Sequence, residues 1–198
     1  MVSEPMTLIT DYALALITGA LGLRLVAQSA GQNSRRFWAL AFLALAFAAA
    51  LGGTYHGFAL EALWKPTVLA IGIASFAMVV GSAKATIGGA LRTALIAAAA
   101  VKLVLYSLWM LAHDAYVWVV VDTGVALALV ALLHAVRWRS AEARWILFGV
   151  GLSLAGAAVQ ASGLALHRNF NHNDLYHVVQ AAAMLLYYRG ARRLADRA

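Results

Sequence analysis

The chain of 198 residues has no cysteine, two prolines and only 8 acidic residues, and 12% of its positions are charged. Without cysteine there can be no disulfide framework and no thiolate metal site, so any metal would have to be held by histidine and carboxylate. With so little charge and 64% hydrophobic residues, at a mean hydropathy of +0.80, a soluble globular domain is excluded. Linkers rich in Gly, Ser or Pro, charge runs and clear internal repeats are also missing. A single membrane domain over 1–198 is the expectation. The N-terminus, Met-Val-Ser-Glu-Pro, has no basic stretch ahead of its apolar run, so it does not read as a cleaved signal peptide.

What the chain has instead is apolar runs. Seven can be drawn, at about residues 6–27, 37–60, 66–82, 87–112, 116–136, 144–164 and 173–188, each near the length that spans a bilayer as a helix. The fold class is therefore an all-α bundle of seven transmembrane helices, with short connections that make sequential helices antiparallel neighbours. A net charge of +7 would suggest an anionic partner such as nucleic acid in a soluble protein. Here the arginines sort by loop. Arg24, Arg35, Arg36, Lys84, Arg92, Arg137, Arg139, Arg144, Arg189, Arg192, Arg193 and Arg197 fall on one side, and only Lys65 and Arg168 on the other. By the positive-inside rule this predicts an outside N-terminus and a cytoplasmic C-terminus, in the plasma (inner) membrane.

The other polar groups go the opposite way. Glu4, Asp11, Glu61, Asp114, Asp122 and Asp174, with His56, His113, His167, His172 and His177, lie toward the predicted outer ends. No topology rule requires histidines to cluster, so this clustering is the main functional signal. On the seventh helix Asn173, His177, Gln180 and Met184 follow i, i+4, i+7, i+11 and share one face. His172, five before His177, can join the same site only from a loop. Asp174 reads either as a ligand or as a capping residue answering the helix macrodipole with Asn171. His177 reads either as a ligand or as a structural hydrogen-bonding group. His56, near the end of the second span, stands at the depth where His177 begins, and Gly52 and Gly53 there allow a close helix approach. Asp11 reads as a solvated interfacial acid or as part of the site, with Thr7 and Thr18 on its face. Lys102 and Asp122, both deep, read as a mutual ion pair. Lys102 also suits a retinal Schiff base, but such pigments carry that lysine on the last helix. Tyr187, Tyr188 and the tryptophans near span ends read as interfacial anchors.

Seven helices with an outside N-terminus, Tyr-His closing the second helix and Asp174-Leu-Tyr-His177 opening the seventh resemble the CREST superfamily of membrane hydrolases. That group includes alkaline ceramidases, progestin/adipoQ receptors and hemolysin III-like proteins. The resemblance implies zinc held by His56 and His177, and hydrolysis of a lipid amide. The chain departs from the pattern at Asn173, where the first histidine of the seventh-helix pair belongs. It departs again at Gly52, where a serine belongs, and in a third helix without aspartate. Asp174 or His172 would then supply the displaced ligand.

The expected function is thus a zinc-dependent hydrolase of a lipid amide or ester, working at the outer leaflet on membrane lipids. Its metal ligands would be His56, His177 and Asp174 or His172, and its general base Glu61 or Asp11. Its rivals are a seven-helix receptor or sensor responding through histidine, a haem carrier with His56 and His177 as axial ligands, and a transporter. The absence of a repeat or broken helix counts against the last.

Overall fold

In the computed structural model, which describes residues 2–197, the chain forms seven α-helices: α1 (Pro5–Ala27), α2 (Asn33–Phe58), α3 (Trp64–Thr86), α4 (Gly89–Ala112), α5 (Val117–Ala135), α6 (Ala141–Ser162) and α7 (His172–Ala191). Pro5 starts α1 in the first turn, where its missing N–H has no helical partner to lose. Ser140 caps α6 by accepting from the Ala143 N–H at 3.3 Å. Gly163, at φ +68°, lets the chain turn out of that helix. Several helices outrun the predicted spans. α3 continues to Thr86 rather than stopping at Ser82, α2 begins at Asn33 and so includes Arg35 and Arg36, and α7 continues to Ala191.

Six of these segments are long and apolar enough to cross a membrane. The exception is α7, whose first half carries His172, Asn173, Asp174, His177 and Gln180. Large apolar side chains such as Leu16, Leu105, Leu132 and Phe148 point outward at more than half exposure, as a lipid-facing belt requires.

The helices pack as a ring in the order α1, α2, α3, α5, α6, α7 and back to α1. α4 stands outside this ring against α3 and barely touches α5. It meets α5 through the ion pair of Lys102 with Asp122, as the sequence predicts, and through the edge-on contact of Trp109 with Trp118 at 5.1 Å. Inside the ring, Trp38 and Tyr187 pack with ring centroids 5.4 Å apart and planes tilted by 36°, and the Tyr187 hydroxyl lies 3.1 Å from Ser153 Oγ. Trp38 and Tyr187 are thus core residues and not the interfacial anchors expected. Gly149 makes room for the Tyr187 ring, which would stand 2.6 Å from an added Cβ.

All starts of odd-numbered helices and ends of even-numbered ones meet at one end, which carries His56 and His177. The opposite end carries every arginine except Arg168. At the arginine end the residues after α7 fold back across the bundle. The Asp196 carboxylate accepts the Asn33 and Ser34 N–H groups at 2.8 and 2.7 Å, capping α2. The Arg35 side chain donates to Leu194 O at 2.6 Å, and the Arg197 N–H to Lys84 O at 2.8 Å.

Candidate functional site

At the histidine end a cavity of about 380 Å³ opens inside the ring, with walls from α1, α2, α3, α6 and α7. Asn173, His177, Gln180 and Met184 all line it, so the predicted α7 stripe does face one space. Asp11 comes from α1, His56 from α2, and Gln160 from α6.

The polar centre is a chain of four groups. Asp11 Oδ1 lies 3.3 Å from His177 Nε2. On the other side of the ring, His177 Nδ1 lies 3.0 Å from Thr10 Oγ1, which also lies 3.4 Å from Asp174 Oδ1 and 3.2 Å from Thr7 O. Thr10 has one hydroxyl proton, and both of its neighbours other than His177 are acceptors. That proton can go to Asp174 Oδ1, to Thr7 O or to His177 Nδ1, so the direction of the Thr10–His177 bond follows the tautomer of the ring. With the neutral ring protonated on Nε2, that N–H donates to Asp11 Oδ1; with it protonated on Nδ1, Nε2 turns a lone pair toward the carboxylate. In the second tautomer two acceptors meet at this distance, a pair that a shared proton or a metal ion between them would relieve. Asp11 Oδ2, the second oxygen of the same carboxylate, is buried and has no hydrogen-bond partner.

The other predicted site residues are distributed unequally. His56 lines the same cavity, with Nδ1 3.6 Å from Glu4 Oε2. Asp174 does not line it. Its Oδ2 accepts the Asn171 N–H at 2.7 Å, while Asn171 Oδ1 accepts the Asp174 N–H at 3.3 Å, so the capping reading describes what this carboxylate does. Asp174 still touches the site through Thr10. His172 is the first residue of α7 rather than a loop residue, and a helical His172 points about 140° away from His177. Asn173 accepts from Gln160 Nε2 at 3.2 Å. Glu61 sits in a short 3₁₀ turn (Glu61–Leu63) and opens onto a separate cleft instead of the cavity holding Asp11.

Two ligands bound about 2.0–2.1 Å from a tetrahedral zinc stand roughly 3.3 Å apart, which is the Asp11–His177 separation. A ligating histidine usually donates its other N–H to an oxygen that fixes the ring, and Thr10, backed by Asp174, is placed to be that oxygen. These two donors fit an ion, and His56 shares their cavity. Among the described residues no three His, Asp or Glu side chains are gathered closely enough to hold one without movement of a side chain.

Toward the middle of the bundle the cavity adjoins a second, largely apolar chamber of about 170 Å³ between α3, α5, α6 and α7. Leu45, Ile71, Tyr116, Gln160, Tyr176 and Gln180 line both spaces. Sequence reasoning missed Thr10 and Gln160. Gln160 was visible as the one amide in the apolar run Ala-Gly-Ala-Ala-Val-Gln-Ala. Thr10 was hidden because the helix face through Asp11 was read with Thr7 and Thr18, and its neighbour on α7 could not be known.

Residues 6–196 match one family profile, described as a family of unknown function. No curated protein and no solved structure matches the chain.

Proposed function

The chain belongs to that family, DUF6962, and from the geometry of its cavity we propose that it is a membrane-embedded hydrolase of an amide or ester borne by an acyl-chain lipid. The observation that carries this reading is the confrontation of Asp11 Oδ1 and His177 Nε2 at 3.3 Å, beside an apolar chamber able to take a chain. Resemblance to the CREST hydrolases supports it. The arginine distribution supports a cytoplasmic arginine end and a site toward the outer leaflet of the plasma membrane.

Zinc would be held by Asp11 and His177, with His56 from the facing wall, and would polarise the substrate carbonyl and acidify a water molecule. The chain's own groups supply the remaining steps. Asp11 Oδ2, which has no partner, would take a proton from an attacking water as the water oxygen bonds to the carbonyl carbon. The C–N or C–O bond then breaks, and Asp11 returns the proton to the leaving nitrogen or oxygen. Thr10 holds the His177 ring in place throughout. The apolar chamber holds the acyl chain and keeps bulk water from the reacting bond.

The test is metal content of the detergent-purified protein, beside hydrolysis of a panel of lipid amides and esters. The wild type should hold about one zinc per chain, with one proton released on binding. Both metal and turnover should be lost in Asp11→Ala and His177→Ala. Full turnover by His177→Ala, or a metal-free protein that cleaves none of the panel, overturns the reading.

A second reading is a non-enzymatic receptor or sensor whose Asp11–His177 couple shares a proton. The lack of a preformed three-ligand cluster among the described residues favours it. It predicts a ligand or proton response that His177→Ala alters in metal-free protein.

A further inference from the structure

Beside the main cavity at the histidine end lies an open cleft of about 410 Å³. Three aromatic residues, Tyr55 at the end of α2, Trp64 at the start of α3 and Tyr116 just ahead of α5, line both spaces and form the wall they share. Tyr55 and Trp64 have ring centroids 5.8 Å apart with planes at 41°, and Trp64 and Tyr116 are 6.2 Å apart at 52°. Such tilted, non-parallel rings form a concave surface rather than a stack.

The remaining lining groups of the cleft are Glu61, Lys65 and Asp114. The Lys65 ammonium is fully engaged: it donates to Met110 O at 2.6 Å and His113 O at 2.9 Å, and pairs with Asp114 Oδ1 at 2.6 Å. That pairing neutralises Asp114. Glu61 has no cation within ion-pairing distance among the described residues, so its charge is the one left uncompensated in the cleft. An anionic group would meet Glu61 and find Lys65 already committed. A cation would meet a carboxylate and a wall of three aromatic rings, the combination that recognises quaternary ammonium groups elsewhere. Interfacial tyrosines and tryptophans occur at membrane edges for their own reasons, but that role calls for neither a cavity behind the rings nor an unpaired carboxylate beside them.

We infer that this cleft binds an alkylammonium group, quaternary for preference, on a ligand whose remainder passes the aromatic wall into the main cavity. The inference rests on the hydrolase reading for the role of that ligand as substrate, while the binding itself is measured separately. It also gives Glu61 a different task from the general base expected from the sequence.

The experiment titrates choline into the detergent-purified full-length protein by calorimetry, against its uncharged carbon isostere 3,3-dimethylbutan-1-ol and against hexyltrimethylammonium. Choline should saturate, and the isostere should bind about tenfold more weakly or not at all. Glu61→Gln should weaken choline about fivefold or more without shifting thermal unfolding. His177→Ala, distant from the cleft's lining, should leave choline binding unchanged. Hexyltrimethylammonium binding at least tenfold tighter than choline identifies the source as an amphiphile's headgroup. Equal affinities identify a free amine. Equal binding of choline and the isostere, or no effect of Glu61→Gln, overturns the inference. Choline binding intact in a protein that cleaves no lipid would instead sink the hydrolase reading and leave the cation site standing.

Discussion

Gly53 carries no Cβ because Asp11 occupies the space: a methyl added at Gly53 would lie 2.8 Å from Asp11 Cβ and 3.1 Å from the Tyr12 ring. The contact fixes how closely α1 approaches α2, and with it the position of the Asp11 carboxylate opposite His177. Gly53→Ala is expected to destabilise the protein by about 1–3 kcal/mol through overpacking and to disturb the Asp11–His177 couple. Gly52 is different, since an added Cβ would stand 3.9 Å from Asp11 Oδ2, in ordinary contact. Gly52→Ser should be accepted and should bring a hydroxyl to that unpartnered oxygen. Thermal unfolding of both variants in detergent separates the cases, and a stable Gly53→Ala would show that the helices can part.

Thr10 holds the His177 ring from behind. Removal of its hydroxyl in Thr10→Val should lower metal affinity or turnover by about 10–100-fold while changing the unfolding temperature little, and Thr10→Ser should restore most of the loss. A Thr10→Val protein with unchanged affinity would mean that the ring is held by its packing alone.

Lys102 and Asp122 pair between the long apolar helices α4 and α5, with the Asp122 side chain 3% exposed. Lys102→Met leaves a buried carboxylate without its cation and should cost about 3–5 kcal/mol. The double variant Lys102→Met/Asp122→Leu should recover most of that cost, because an apolar pair of similar volume needs no compensation. A double-mutant cycle on unfolding in detergent measures the coupling. An additive result would show that α4 is held to the ring by other contacts.

The helical bundle was legible from the sequence because six of its seven helices are each long and apolar enough to cross a membrane. The Lys102–Asp122 pair was legible for a related reason: two charges at similar depth on consecutive helices have few other partners. The α7 stripe from Asn173 to Met184 could be read from helical spacing alone. What failed was anything depending on helix rotation or packing partners. Tyr187 and Trp38 have the amphipathic rings of interfacial anchors, yet Gly149 and Ser153 on α6 draw Tyr187 inward. His172 needed a loop to join His177, and the capping box at Asn171 starts the helix one residue too early for that. Thr10 was passed over because its importance lies wholly in the neighbour that α7 supplies.

Asp196 lies outside the membrane-crossing helices. Burial alone would push its carboxyl up, but the Ser34 and Asn33 N–H groups, with Lys84 nearby, outweigh that and hold it below its ordinary value of 3.8. A carboxylate with a lowered folded pKa contributes stability that is present above the unfolded value and is lost as pH falls through the folded one. Asp196→Asn should therefore cost about 0.5–2 kcal/mol near neutral pH, the usual worth of a helix cap. The gap to wild type should close as the pH drops below 3.8. Unfolding temperatures from pH 3 to 7 provide the check, and a gap that stays constant with pH would remove the carboxylate's charge from the account.

That same cap has a consequence for biosynthesis. Ser34 and Asp196 are 162 positions apart, so at roughly 5–20 residues per second of translation the first turn of α2 waits on the order of 8–30 s for its partner to be made. Through that interval its N–H groups have only water to bind. The Asp196 cap on α2 can form only after residues beyond α7 have been made, later than the insertion of any single helix.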